Sequence, residues 1–143
     1  MADILQDFII KESISRVFEI IVSPVAMDQW WTKRCSGEQK VGGIYQLWFG
    51  PAYDWRGTIT KLAPSSDFEL EISQADDDWN GTRVGFHCEQ RGGSTVVRFY
   101  HTGWPEANEH YRISCYCWAM YLRILKRHIE FGETVPYERR LEV

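Results

Sequence analysis

The four cysteines of this 143-residue sequence are the first side chains to consider for metal or nucleophilic chemistry. Cys115 and Cys117 are separated by one residue in a predicted helix, where two steps of ~100° turn their thiols to different faces. Cys35 and Cys88 lack the paired spacing that a four-ligand zinc site requires. The sequence therefore predicts no metal site and no cofactor, and it indicates that the cysteines are structural.

One of the four histidines could act as a general acid or base. His101 continues the inward alternation of a predicted strand, so we expect its side chain near the mouth of an internal cavity, with Tyr45 or a nearby acid as its partner. His110 lies one helical turn after Glu106, a spacing typical of surface pairs. A single buried histidine is more often a hydrogen-bonded structural residue, so catalysis by His101 is the less favoured interpretation.

Motifs for several other functions are missing from the sequence. There is no G-x-S-x-G nucleophile motif, and the glycines of "VGGIYQ" do not form a G-x-x-x-x-G-K-[ST] phosphate loop. The net charge of −4 and the lack of a basic patch argue against nucleic-acid binding. No apolar stretch reaches the ~18–20 residues of a membrane span. Because no signal peptide is visible either, we expect a cytoplasmic protein with reduced cysteines.

The hydrophobic pattern divides the chain into helical and strand-forming regions. It predicts a strand over residues 3–11 and a helix capped by Ser13. A second helix is predicted to begin at Pro24 and to end before Gly37. About five alternating strands with short turns follow, as in an antiparallel meander. The chain then forms a long helix, ended by Gly132, with an apolar stripe of Tyr111, Cys115, Trp118, Leu122, Leu125 and Ile129.

These elements predict an α+β fold in the order β-α-α-β(about five)-α. A curved antiparallel sheet would wrap around the long C-terminal helix, with residues 1–143 forming one domain. Such a sheet leaves room between itself and the helix, where an internal cavity could form.

Aromatic side chains give the strongest functional signal, with seven each of Trp, Tyr and Phe. They could simply fill a core, but the polar tips of Tyr, Trp and His favour a cavity for an amphipathic ligand. The predicted lining residues share the concave side of the sheet or face it from the helices: Trp30, Trp31, Tyr45, Leu47, Phe49, Trp55, Phe68, Leu70, Phe86, Phe99, His101, Trp118 and Leu122.

Two of these residues are adjacent, in the segment "MDQWWTKRC". Trp30 and Trp31 follow Met27 at i+3 and i+4 of the second predicted helix, so both rings can flank one buried face. We expect one ring to seal the core and the other to border the pocket mouth, and the sequence leaves open which does which.

Four motifs stand at the joints of this pattern: "SPVAMDQWW" in the second helix, "VGGIYQLWF" opening the second strand, "HTGWP" leaving the last strand, and "CWAMYLRILKRHIEFG" in the final helix. In this order they resemble the START-like (SRPBCC, helix-grip) superfamily. The closest likeness is to the family named for the C-terminal domain of the activator of the heat-shock protein 90 ATPase. The resemblance covers nearly the full length, and it implies a cavity for lipid-like or aromatic ligands between sheet and helix.

Three functions are consistent with this resemblance, because the superfamily includes lipid carriers, hormone receptors, polyketide cyclases and the co-chaperone domain. The first is binding of a small hydrophobic or aromatic ligand without catalysis. The second is an enzyme of the cyclase or dehydratase kind that uses His101. The third is an interaction module with the heat-shock protein 90 chaperone as partner, which is less favoured because no further segment supplies the rest of a co-chaperone. A homodimer is left open.

Overall fold

Seven strands form one curved antiparallel sheet in the computed structural model, which describes residues 1–143. In chain order they are β1 (Ala2–Ile10), β2 (Arg34–Gly37), β3 (Ile44–Trp48), β4 (Asp54–Ala63), β5 (Asp67–Gln74), β6 (Arg83–Arg91) and β7 (Ser94–Trp104). Their order across the sheet is β1-β7-β6-β5-β4-β3-β2. Strands β2 to β7 therefore form a meander, and β1 pairs with β7 to complete it.

The helices are α1 (Ile14–Val22), α2 (Pro24–Met27) and α3 (Glu109–Phe131), and a 3-10 helix (Tyr137–Glu142) ends the chain. The Asn108 side chain accepts a hydrogen bond from the Tyr111 backbone N–H and caps the start of α3. Gly132 ends α3 in the left-handed conformation at φ 69°, as predicted. The long helix and the sheet together confirm the predicted helix-grip α+β architecture. No helix has the length and apolar character needed to cross a membrane.

The second helix is shorter than predicted, and one strand was missed. The backbone N–H groups of Trp30, Trp31 and Thr32 all donate to the carbonyl oxygen of Met27, at 3.1, 2.8 and 3.1 Å. The regular helical bonding therefore stops at Met27, and the tryptophan pair lies in a turn rather than on a helix. The chain then enters β2, so six strands follow α2 instead of about five.

Contacts with side chains hold this turn. The Asp28 carboxylate accepts hydrogen bonds from the Thr32 hydroxyl and from the Cys35 backbone N–H, both at 2.7 Å. Arg140, which is only 4% exposed, donates to the carbonyl oxygens of Asp28 (2.6 Å), Trp31 (3.1 Å) and Thr32 (3.3 Å). The helix prediction was wrong because these bonds favour the turn, and Arg140 comes from the opposite end of the chain.

Candidate functional site

An aromatic crevice of about 200 Å³ lies between α3, the hairpin that joins β3 to β4, and the C-terminal segment. Nine of its eleven lining residues are hydrophobic, so its wall suits an apolar ligand. We call this space the aromatic crevice, and it is lined by Trp31, Phe49, Tyr53, Trp55, Trp79, His110, Ile113, Ser114, Cys117, Tyr121 and Tyr137.

The β3–β4 hairpin supplies one wall of the aromatic crevice. The Phe49 backbone N–H donates to the Tyr53 carbonyl at 3.0 Å and so closes the hairpin. The rings of Phe49 and Trp55 then meet edge to face, with centroids 5.6 Å apart. Trp55 in turn packs against Trp79 from the β5–β6 connection, at 4.7 Å between centroids. Each ring is held by another ring, so this wall is preformed.

Helix α3 supplies the opposite wall. His110, Ser114, Cys117 and Tyr121 recur at intervals of four, three and four residues, which places them on one helix face. Burial raises the pKa of the Cys117 thiol, so this cysteine stays protonated and is a poor nucleophile near neutral pH. The wall therefore offers hydroxyl, thiol and imidazole groups to a ligand but no activated nucleophile.

The C-terminal segment closes one side of the aromatic crevice. Tyr137 lines the space, and its hydroxyl donates to the Phe49 carbonyl oxygen at 3.4 Å. Burial raises the pKa of Tyr137, with Arg140 opposing the shift, so the phenol remains a neutral donor. The segment thus joins the hairpin wall to the turn that carries Trp31.

The two adjacent tryptophans have different roles. Trp30 is fully buried in the core, where its indole N–H donates to the Ile20 carbonyl oxygen at 3.3 Å. Trp31 lines the aromatic crevice and packs on Trp118, with ring centroids 5.0 Å apart. Of the two, Trp31 is therefore the ring that borders the crevice.

We expected His101 near the mouth of a cavity, but it lies in the filled core. It is fully buried, and the indole N–H of Trp118 donates to its Nδ1 atom at 3.0 Å. Nε2 must then carry the proton, and it donates to the Thr82 hydroxyl at 2.8 Å. The Thr82 hydroxyl in turn donates a hydrogen bond to the carbonyl oxygen of Trp79. Both ring nitrogens of His101 are used inside the protein, so neither is available to a substrate.

The charge on His101 is suppressed as well. Burial lowers the pKa of His101 to about 3, with a smaller contribution from nearby His110. A proton added to Nδ1 would face the indole N–H of Trp118, which is itself a donor. The residue is thus a neutral structural link between β7 and α3.

Most of the predicted lining residues lie elsewhere than in the aromatic crevice. Three of them border it: Trp31, Phe49 and Trp55. The others pack into the core and are at most 3% exposed: Trp30, Tyr45, Leu47, Phe68, Leu70, Phe86, Phe99, His101, Trp118 and Leu122. Alternation correctly placed the strand residues on the inner face, but their rings and those of α1 and α3 fill the space between sheet and helices.

Leu122 does not line the aromatic crevice, although it is buried in the same core. It borders a surface groove of about 620 Å³ that follows the free edge of β1. The groove is lined by consecutive residues, Gln6 to Ile9, whose side chains alternate between the two faces of the sheet. The groove therefore curves around the edge of the sheet and does not form a single concave surface, so it does not resemble a binding site.

Eight crevice residues were not predicted from the sequence: Tyr53, Trp79, His110, Ile113, Ser114, Cys117, Tyr121 and Tyr137. The spacing of His110, Ser114, Cys117 and Tyr121 could have indicated a second inward face of α3 beside the apolar stripe. Trp79 and Tyr137 lie outside strands and α-helices, where periodicity gives no signal. No three His, Cys, Asp or Glu side chains lie close enough together to hold a metal ion.

His110 has a different partner from the one predicted. Its Nδ1 atom lies 2.9 and 3.0 Å from the two carboxylate oxygens of Asp78, and no bond to Glu106 forms. Asp78 also accepts a hydrogen bond from the Asn108 side chain at 3.3 Å. The ring of His110 stacks on Trp79, with centroids 6.1 Å apart. A carboxylate–imidazole pair therefore stands at the wall of the aromatic crevice.

Comparisons with known proteins agree with this fold. The family model described as Activator of Hsp90 ATPase homolog 1-like protein matches residues 11–130. No curated protein matches the sequence. The solution structure of the Aha1 dimer from Colwellia psychrerythraea is 27% identical, with a TM-score of 0.85, and the match covers 93% of this chain and 99% of that chain.

Two further solved structures share the fold at lower identity. Protein SSP2350 from Staphylococcus saprophyticus is 18% identical, with a TM-score of 0.76 over 94% of this chain and 96% of that chain. CalU16 from Micromonospora echinospora is 16% identical, with a TM-score of 0.75 over 98% of this chain and 81% of that chain. At these identities the likeness concerns the fold alone.

Proposed function

The chain belongs to the Activator of Hsp90 ATPase homolog 1-like family, within the START-like superfamily, and we propose that it binds a small aromatic molecule in the aromatic crevice. The observation that carries this proposal is a preformed apolar space with a few polar groups in its wall, the usual composition of a small-molecule site. Its volume of about 200 Å³ is below the ~300–1,000 Å³ of pockets for drug-sized molecules, so a ligand of one or two rings fits best.

The polar groups of the crevice support binding rather than catalysis. The hydroxyls of Ser114 and Tyr121 line it without a hydrogen-bond partner in the protein, and Cys117 is protonated. Such groups orient a ligand without reacting with it. The alternative enzyme function through His101 has no free ring nitrogen on which to operate.

A thermal-shift titration with a panel of one- and two-ring aromatic compounds tests the proposal. We expect at least one compound to raise the melting temperature saturably, because a ligand that binds only the folded state stabilises it. The variant Cys117→Phe fills the crevice from α3 and should abolish this shift, whereas Cys117→Ser keeps the space open and should retain it. A shift of equal size in both variants would place the ligand elsewhere, and a panel without any saturable shift would refute the proposal.

Interaction with a chaperone of the heat-shock protein 90 type is a second candidate, favoured by the family description. Pull-down with the chaperone and an assay of its ATPase activity test it, and a negative result in both would exclude this function. The Cys117→Phe variant should behave as the native chain in these assays, because a docking surface for a protein does not need the crevice.

We also propose that the chain forms a homodimer, because the similar Colwellia protein is described as a dimer. Sedimentation equilibrium at several protein concentrations measures the oligomeric state directly. A single species at the monomer mass across the whole range would refute self-association.

A further inference from the structure

The pair formed by Asp78 and His110 is not explained by the packing of the core. Asp78 lies in the β5–β6 connection and His110 in the first turn of α3, so the pair joins two elements at the crevice wall. His101 has a partner at both ring nitrogens, whereas the Nε2 atom of His110 has none in the protein. One nitrogen at the crevice wall thus remains available to a ligand.

The hydrogen bond at Nδ1 of His110 determines whether its Nε2 atom can donate or accept. A carboxylate only accepts hydrogen bonds, so Nδ1 must carry a hydrogen and donate it to Asp78. In the neutral ring Nε2 then presents a lone pair. The Asn108 amide holds Asp78, and Trp79 stacks on the imidazole, so the orientation of the ring is fixed. In this neutral form the ring supplies an oriented hydrogen-bond acceptor to the wall of the aromatic crevice.

We propose that His110, positioned by Asp78, accepts a hydrogen bond from a hydroxyl group on the ligand, so that the crevice selects phenol-type molecules over aromatics that lack a donor. This inference rests on the proposed function, because it assumes that an aromatic molecule occupies the crevice. His110 is the specificity-determining residue, and Asp78 acts through it as a positioning residue.

The test compares two fluorescent probes of similar shape, 2-naphthol and 2-methoxynaphthalene, of which only the first has a hydroxyl donor. The native chain should bind 2-naphthol about five- to tenfold more tightly, as expected for one net hydrogen bond. His110→Phe keeps an aromatic wall and should remove the preference. His128→Phe is the control, because His128 lies on the same helix but outside the crevice, where its Nδ1 pairs with the Glu133 carbonyl oxygen. This variant should keep the preference for 2-naphthol.

Two variants at Asp78 test its positioning role. Asp78→Asn retains an oxygen that can accept from Nδ1–H of His110 and should largely preserve the preference for 2-naphthol. Asp78→Ala removes this acceptor oxygen and should lower the preference. A preference that stays at the native value in Asp78→Ala would refute the role of Asp78. Thermal unfolding of every variant establishes that it is folded before its ratio of affinities is interpreted.

The outcomes separate this inference from the proposed function. If both probes bind the native chain with equal affinity, the crevice binds aromatics without selecting a hydroxyl, and the role of His110 is refuted while the proposed function stands. If the preference is present and also survives His110→Phe, the acceptor is another group and the inference is wrong. If neither probe binds, both the inference and the proposed function fail for ligands of this size.

Discussion

His101 and His110 show how the partners of a side chain decide its chemistry. His101 accepts from the Trp118 indole and donates to Thr82, so its proton is fixed and its charge suppressed. His110 shares one nitrogen with Asp78 and keeps the other free. Both rings pack against Trp79, with centroids 4.5 and 6.1 Å from it. One of them therefore serves the fold, and we assign the other to the ligand.

The buried state of His101 predicts how stability changes with pH. The pKa of His101 in the folded chain is about 3, below the ordinary value of 6.5. Between these two pH values the unfolded chain binds a proton at this residue and the folded chain does not. The contribution of this residue to stability is complete above pH 6.5 and decreases as the pH falls towards 3. The decrease is at most about 1.4 kcal/mol for each pH unit in this window.

The variant His101→Gln isolates this effect, because glutamine can accept from Trp118 and donate to Thr82 but does not titrate. Urea unfolding at several pH values should show a shallower loss of unfolding free energy for the variant than for the native chain below pH 6.5. His128→Gln serves as the control and should follow the native curve. Parallel curves for His101→Gln and the native chain would show that His101 is not buried in its neutral form.

On the outer face of the sheet, a small residue and a large one are matched across two strands. Gly85 of β6 pairs with Tyr100 of β7, and the tyrosine ring lies directly over the glycine. The Tyr100 hydroxyl reaches the carboxylate of Glu69 on β5, which is only 3% exposed. Burial acts to raise the pKa of Glu69, but hydrogen bonds from Tyr100, Thr60 and Arg83 outweigh it and lower the pKa. This network joins β4, β5, β6 and β7.

A methyl group at position 85 should disturb this network. The Cβ atom of Gly85→Ala would overlap the Tyr100 ring, so the ring must move away from Glu69. We expect a loss of about 1–3 kcal/mol in unfolding free energy, the range for overpacked sites. Gly93→Ala is the matched control, because its Cβ meets no atom within 4 Å, and it should change stability by less than about 0.5 kcal/mol. Equal urea midpoints for the two variants would contradict the close packing at Gly85.

The sequence predicts elements well where local periodicity and tertiary packing agree. The strands from β3 to β7 alternate clearly, and the apolar stripe of α3 contains Trp118, Leu122, Leu125 and Ile129, all of which are buried. The α2 region also satisfies helical spacing, yet the chain turns after Met27 because distant groups bind the turn. Periodicity likewise assigns rings to the inner face but does not show whether they leave a space between them.

At the scale of the whole molecule, the C-terminal segment meets the turn that follows α2 at the aromatic crevice. Arg140 donates to carbonyl oxygens of residues 108 to 112 positions earlier, including those of Trp31 and Asp28. Its fourth bond, at 3.1 Å, goes to the Val135 carbonyl and holds the C-terminal segment in place. Because Trp31 and Tyr137 both line the crevice, the same clamp shapes the site and stabilises the fold.

Loss of this clamp should therefore affect stability and binding together. In Arg140→Met the guanidinium bonds are removed while much of the side-chain volume remains, and we expect a loss of about 1–3 kcal/mol in unfolding free energy because buried carbonyl groups lose their donor. Arg140→Lys keeps the charge but not the planar fork, so its stability should lie between those of the native chain and the methionine variant. The neighbouring Arg139→Met is the control, since the Arg139 side chain pairs with exposed Glu142 and its loss should leave both properties unchanged. Urea unfolding measures the stability of these variants, and titration with 2-naphthol measures binding in the crevice. If Arg140→Met lowers stability but leaves probe affinity at the native value, Trp31 and Tyr137 keep their places without the clamp. The proposed link between the Arg140 clamp and the crevice would then be wrong.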